Sequence, residues 1–208
     1  MKKLILMLLL VTTVIMAGFD EDFNENQFSS GVKAGVTLSS VVGDDAAGEY
    51  YRNEYKFGLE LGAFALIHIS NLISIQPELL FTQKGRVISP DATFASNIHI
   101  TRNYVQLPIL LAFKLAPGLK FYGGGYVSLF TNAWVSSSDM TSGEERRYEE
   151  QIEKETSNFD AGALVGAMFR SHNLVFDFRY ERGLTTLDRD GRIDLFNQTF
   201  KLSVGSLF

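Results

Sequence analysis

The sequence predicts an all-β fold: an eight-stranded antiparallel up-and-down transmembrane β-barrel. Three observations predict it. Apolar side chains recur at every second position through eight stretches after residue 30, which is the period of a strand. Connections between the stretches alternate between short turns and long polar loops, as they do at the two rims of an outer-membrane barrel. The polar face of the stretches is rich in glycine, and glycine would weaken a strand face left in water.

The chain opens MKKLILMLLLVTTVIMAG, with Lys2 and Lys3 ahead of an apolar run from Leu4 to Met16 and a small-residue end at Ala17-Gly18. At ~1.5 Å per residue that run is too short for a ~30 Å hydrocarbon core, and the pattern is that of a cleaved signal peptide over residues 1–18. Ile15 or Met16 matches an A-x-A site poorly, so the cleavage position is approximate. Residues 19–30 form a short, acidic, periplasmic segment, and the barrel domain spans 31–208.

The strands follow in order. Residues 31–42 set Val32, Ala34, Val36 and Leu38 against Lys33, Gly35, Thr37 and Ser39. Residues 55–69 set Phe57, Leu59 and Leu61 against Lys56, Gly58 and Glu60, and 72–84 set Ile75, Leu79 and Phe81 against Gln76, Glu78 and Lys84. Residues 102–115 oppose Val105, Leu107, Ile109 and Phe113 to Arg102, Tyr104, Gln106 and Lys114. In 119–130, Phe121, Val127 and Leu129 alternate with Lys120, Tyr122 and Tyr126; in 159–169, Phe159 and Val165 alternate with Asp160, Gly162 and Gly166. Residues 174–184 oppose Phe176, Phe178 and Tyr180 to Asp177, Arg179 and Glu181. The closing stretch FNQTFKLSVGSLF ends on Phe208 without a polar tail. Short turns fall at Ser70-Asn71, Ala116-Pro117-Gly118 and Ser171-His172-Asn173, and long loops at 43–54, 85–101, 131–158 and 185–193.

Period two leaves open which face points inward. A soluble barrel would bury the apolar face, but about eight strands enclose room for side chains or one small ligand and little more. The Leu, Ile, Val and Phe residues of this face would overfill that space. The polar, glycine-rich face fits a narrow bore, so the apolar face meets lipid. Aromatics support the choice: Tyr55, Phe57, Phe81, Phe159, Tyr180 and Phe196 lie near the loop end, and Phe113, Phe121, Phe169 and Phe208 near the turn end. Two aromatic girdles mark the two interfaces of a bilayer. On this reading Ile109 points into lipid and Leu110 into a polar lumen.

Composition narrows the function. The chain has no cysteine, so neither a disulfide framework nor a lipidated N-terminal cysteine is available. Past residue 18 it carries 17 basic against 24 acidic residues, a net charge of −7, which argues against nucleic acid as a partner.

The stretches GVKAGVTLS, SIQPELLFTQKG, YVQLPILLAFKL, FYGGGYVSLF, FDAGALVGAMF, LVFDFRYERGLTTL and NQTFKLSVGSLF resemble the PorT-like outer-membrane β-barrel family across nearly the whole mature chain. Gln76-Pro77-Glu78-Leu79, Gln106-Leu107-Pro108 and Arg179-Tyr180-x-x-Gly183-Leu184 are the most telling pieces. The resemblance implies an eight-stranded barrel in the outer membrane, with both termini periplasmic, in a family whose members mostly lack an assigned role. Its namesake is an accessory of a secretion system. The resemblance also implies that Phe208 is the end of the signal read by the barrel-assembly machinery.

The lumen face carries Lys33, Lys56, Lys84, Arg102, Lys114, Arg179 and Lys201 with Glu60, Glu78, Asp160, Asp177 and Glu181. Buried charges need partners, so these are expected to form a polar network that plugs the bore rather than an ion path. His68, His99 and His172 are too dispersed for a triad; Asp91 and His99 share a loop and are read as solvated. No catalytic, cofactor-binding or metal residue is assigned, and no enzyme is expected. The 131–158 loop is acidic, with Ser142-x-x-Glu145 resembling a capping box ahead of a run of good helix formers. It is read as a solvated loop, or as a contact for a protein, divalent ions or lipopolysaccharide sugars. The expectation is a monomeric structural or surface-interaction barrel in contact with outer-membrane lipid and lipopolysaccharide. The alternative is an accessory barrel for secretion or envelope assembly, ahead of an enzyme or a small-solute channel.

Overall fold

The computed structural model describes residues 28–43, 51–90, 97–138, 140–189 and 194–208. The signal peptide, most of the 19–30 segment and Asp91 lie outside these described residues. Along them run β1 (Phe28–Gly43), β2 (Tyr51–Glu54), β3 (Lys56–His68), β4 (Ile73–Pro90), β5 (Ile98–Ala116) and β6 (Leu119–Ser136). Helix α1 (Ser142–Glu155), β7 (Phe159–Ser171), β8 (Leu174–Gly183) and β9 (Leu195–Leu207) complete the order. All but β2 join in one ring, β1-β3-β4-β5-β6-β7-β8-β9, with every neighbour antiparallel. The ring shuts where β9 meets β1, from Gly31 opposite Leu207 to Gly43 opposite Leu195. The Phe208 N–H then donates to the Ser30 carbonyl (3.0 Å). Closure leaves the spanning strands without free edges.

The faces are inverted relative to a soluble protein. Val32, Val36, Leu59, Leu61, Leu79, Ile109, Val165 and Leu202 stay exposed, while Lys33, Glu60, Glu78, Asp160, Arg179 and Lys201 are buried. At ~3.3 Å per residue and a tilt of ~40°, the outward run from Phe57 to Ile67 stands ~25 Å tall, the height of an outer-membrane apolar band. Toward the loop end the outer face turns polar. Gln83 donates to Asn103 (3.1 Å), Asn103 to Asn132 (3.2 Å), Gln198 to Tyr55 (3.0 Å) and Arg182 to Gln198 (3.4 Å). These bonds mark where the lipid-facing surface ends.

β4, β5 and β6 run past the predicted ends at 84, 102 and 130, so the long loops are shorter than the sequence suggests. For β6 the reason is a β-bulge, whereas β4 and β5 extend together in unbroken register to Ile88 opposite Ile98. Tyr104 pairs with Phe130 but Asn103 with Asn132, which leaves Thr131 as an extra residue. A bulge shifts the phase of the alternation, so Ala133 and Val135 face inward beyond it while Trp134 stays exposed. Likewise β2, inside the predicted 43–54 loop, adds to Val87–Pro90 of β4.

Candidate functional site

Adjacent strands project the polar parity of the sequence into one interior network. Arg179 on β8 is its centre. Its Nη1 and Nη2 donate to the two carboxylate oxygens of Glu78 (2.9 Å each), Nη2 also donates to Asp177 (2.9 Å), and Nε donates to the Tyr122 hydroxyl (3.0 Å). That Tyr122 hydroxyl in turn donates to Asp177. Two-pronged guanidinium–carboxylate pairing is among the stronger and more directional protein hydrogen bonds. Lys33 on β1 lies 3.0 Å from Glu78, 3.1 Å from Asp177 and 3.7 Å from Glu60. Lys201 on β9 lies 2.6 Å from Glu60 and 3.0 Å from Glu181. Lys84 on β4 lies 3.2 Å from Asp160 and 3.5 Å from Glu181. Gln106 links this set by donating to Glu181 (3.0 Å) and accepting from Lys201 (2.8 Å), and Asn197 donates to Asp160 (3.0 Å).

Desolvating so many ions is costly unless each finds opposite charge. Here Lys33, Lys84, Arg179 and Lys201 each lie within salt-bridge distance of at least two of Glu60, Glu78, Asp160, Asp177 and Glu181, while the buried Arg102 donates to Thr156. The other two lumen candidates lie toward the ends of the strands. Lys56 sits at the loop-end rim, where its Nζ donates to the Phe57 carbonyl (3.5 Å), and Lys114 lies near the β5–β6 turn. Sequence reasoning had not placed Gln76, Gln106, Tyr122, Tyr126 or Asn197 in a network, although their position on the polar parity was the available signal.

Near the short turns the bore is apolar, which corrects the expectation of a polar lumen around Leu110. Phe64, Leu66, Leu110, Ala112, Leu164, Met168, Val175 and Leu207 form one buried cluster with Tyr122 and Tyr126. The gap between Lys33, Phe64, Gln76, Met168, Val175 and Asp177 is too narrow for a water molecule. Glycine makes the packing work at two cross-strand pairs, Tyr126 opposite Gly162 and Tyr122 opposite Gly166. A Cβ on Gly162 would stand 2.7 Å from the Tyr126 hydroxyl, and one on Gly166 would strike the Tyr122 hydroxyl. At the turn-end rim Lys120 Nζ is 3.1 Å from both His68 Nε2 and Ser74 Oγ. Among the described residues no group of acids and histidines is arranged to hold a metal ion.

The loop end is covered by α1, where the sequence suggested a solvated loop. Its buried side chain, Ile152, packs with Ile100, Ala133 and Val135 on the inward face above the bulge. The helix starts one residue earlier than expected: the Glu144 carboxylate accepts from both the backbone N–H and the hydroxyl of Thr141 (2.8 Å each). Those bonds hold the Glu144 carboxyl below the usual carboxylate range. Glu145 is used differently. With Glu149 and Glu153 it accepts from the backbone N–H groups of Ser137 (3.2 Å), Val135 (2.9 Å) and Ala133 (3.1 Å). At the other end Arg102 Nε donates to Thr156 Oγ1 (3.3 Å), and the Ser157 N–H donates to the Leu187 carbonyl (2.8 Å). His99 lies on β5, and Phe208 ends the chain exposed on the outward parity of β9.

A ring of antiparallel strands with a lipid-facing band and a side-chain-filled bore defines a small transmembrane β-barrel. The outer membrane protein beta-barrel domain family matches residues 19–189, and the chain belongs to that family; it is an outer-membrane protein. Among solved structures it is similar to Ail, the attachment invasion locus protein of Yersinia pestis, in complex with the heparin analogue sucrose octasulfate. There the identity is 21% and the TM-score 0.50, over 88% of this chain and 100% of that one. It is also similar to Neisserial surface protein A, at 14% identity and a TM-score of 0.52, over 88% and 98%. At such identities the likeness is one of fold. No curated protein sequence matches the chain.

Proposed function

We propose that this chain is a monomeric surface-interaction barrel whose bore conducts nothing and whose working part is the loop end. The observation that carries the reading is the bore itself, filled by paired charges at mid-height and by apolar side chains toward the turns. With transport removed, the loop end is the most elaborated surface: a raised β5–β6 sheet with a helix bonded along it. Long loops face outside and short turns face the periplasm in outer-membrane barrels, which puts α1 at the cell surface and both termini inside. No catalytic role is assigned. Lipid and lipopolysaccharide surround the band, and the exposed Phe208 beside β9 is the aromatic offered to the assembly machinery. The PorT-like reading rests on the sequence resemblance, and its most telling residues Gln76, Glu78, Gln106 and Arg179 are members of one hydrogen-bonded interior.

A membrane-impermeant amine label tests the reading on intact cells. Lys154, exposed on α1, should be modified from outside; modification only after the cells are opened would overturn the orientation. Affinity capture from solubilised outer membranes then separates roles. A stoichiometric periplasmic partner would move the reading to an accessory of secretion or envelope assembly.

A further inference from the structure

β6 outruns its neighbour. Pairing with β7 ends at Leu129 opposite Phe159, while β6 continues to Ser136, so an edge is left beside α1. The helix serves this edge by a match of repeats. Four helical residues advance ~6 Å and two strand residues ~6.6 Å, so Glu145, Glu149 and Glu153 meet Ser137, Val135 and Ala133 in turn. The three carboxylates stand where the carbonyls of another strand would stand.

We propose that the edge running from Ala133 in β6 to Ser137 just beyond it is a strand-addition site for an extended polypeptide, and that α1 is the latch covering it. A carboxylate only accepts hydrogen bonds. The glutamates therefore serve only the donors of the edge; the Ser137 carbonyl accepts from the Met140 N–H (3.4 Å), and an added strand along Ala133 to Val135 would serve donors and carbonyls together. It would continue the β6 ladder where β7 stops. The latch is light, since Ile152 is the buried side chain of α1. The tie at Thr156 and Ser157 gives the helix a pivot when the glutamates let go. The proposal deepens, and rests on, the surface-interaction reading.

The test uses the mature chain folded in detergent, with its heat-modifiable band as the check on folding. The probe is a labelled peptide of four Thr-Val repeats, and its control carries a central proline, which cannot ladder. The Glu145→Ala/Glu149→Ala/Glu153→Ala chain should bind the probe about tenfold more tightly than the parent, because the closed latch lowers apparent affinity by the closed fraction. Glu149→Gln, which keeps an acceptor, should behave as the parent. If the triple variant fails to fold, Glu149→Ala alone carries the comparison. Bound peptide should also slow amide exchange at Ala133, Val135 and Ser137. Equal affinities for parent and variant, equal binding of the proline peptide, or unchanged exchange would overturn the proposal. Peptide binding by the purified variant, with Lys154 shielded on intact cells, would keep the site and overturn the surface orientation instead.

Discussion

Arg179 ties Glu78, Asp177 and Tyr122 together in the middle of the interior. Arg179→Met keeps most of the volume but strands Glu78 and Asp177 beside a single lysine, Lys33. Removing one partner of a buried pair costs about 3–5 kcal/mol. A urea midpoint in lipid vesicles should fall accordingly, and an unchanged midpoint would mean that Lys33 alone suffices. Ile109 and Leu110 test the two faces from adjacent positions. Ile109 is 63% exposed on the lipid face, and Ile109→Arg should cost about 2–4 kcal/mol near the bilayer midplane. Leu110 is fully buried beside Phe64 and Leu164. Leu110→Gln therefore sets an amide among hydrocarbon and should cost about 1–3 kcal/mol, rather than being mild as a polar lumen would make it. Direction was legible in the sequence at both positions, because parity fixes it. Chemistry was not, because the polar lumen was extrapolated from strands where the alternation is clean. The stretches PILLAF and ALVGAM are apolar on both parities, and that was the available sign of an apolar inner layer.

Among the elements, the spanning strands were legible and their upper extensions were not. Period two identifies a strand only while its phase holds, and the bulge at Thr131 shifts the phase just where the sequence reading stopped. The helical signal after Ser142 holds in α1, but the solvated reading of that segment does not. Its acids look like a solvated charge run, yet Glu145, Glu149 and Glu153 serve a strand edge that sequence alone does not reveal. The capping of α1 makes a pH prediction. The folded pKa of Glu144 is depressed, so its stabilising contribution is complete above the unfolded carboxyl value of about 4.3 and disappears as pH falls through the lower, folded value. Amide exchange in the first turn of α1 should quicken over that acid range in the parent and be insensitive to it in Glu144→Gln. The glycines opposite the tyrosines make a second element-scale prediction. Gly166→Ala drives the Tyr122 hydroxyl away from Arg179 and Asp177, so it should cost about 1–3 kcal/mol by overpacking, seen as a lower unfolding temperature in detergent. The same change at Gly143, which has open space around it, should be close to neutral.

At the scale of the whole molecule, two features act on the bore in series. Mid-height, lysines and arginines reach across to carboxylates on other strands, as Lys33 on β1 does to Asp177 on β8; a mobile ion there would have to break pairs already desolvated. Toward the turns the way is lined by Phe64, Leu110, Leu164, Met168 and Val175, where an ion would meet hydrocarbon with no compensating charge. An eight-stranded ring has an interior about wide enough for these side chains alone, so relaxing one layer does not make a pore while the other stands. Planar bilayers holding the purified parent should therefore show no steady, porin-sized conductance steps. Arg179→Met loosens the charged layer and leaves the apolar one intact, so it too should remain silent despite its lower stability. Steady steps from the parent would overturn the closed bore and make solute passage the leading function. Steps from Arg179→Met alone would show that the charged layer is the only barrier and that the apolar cluster does not seal.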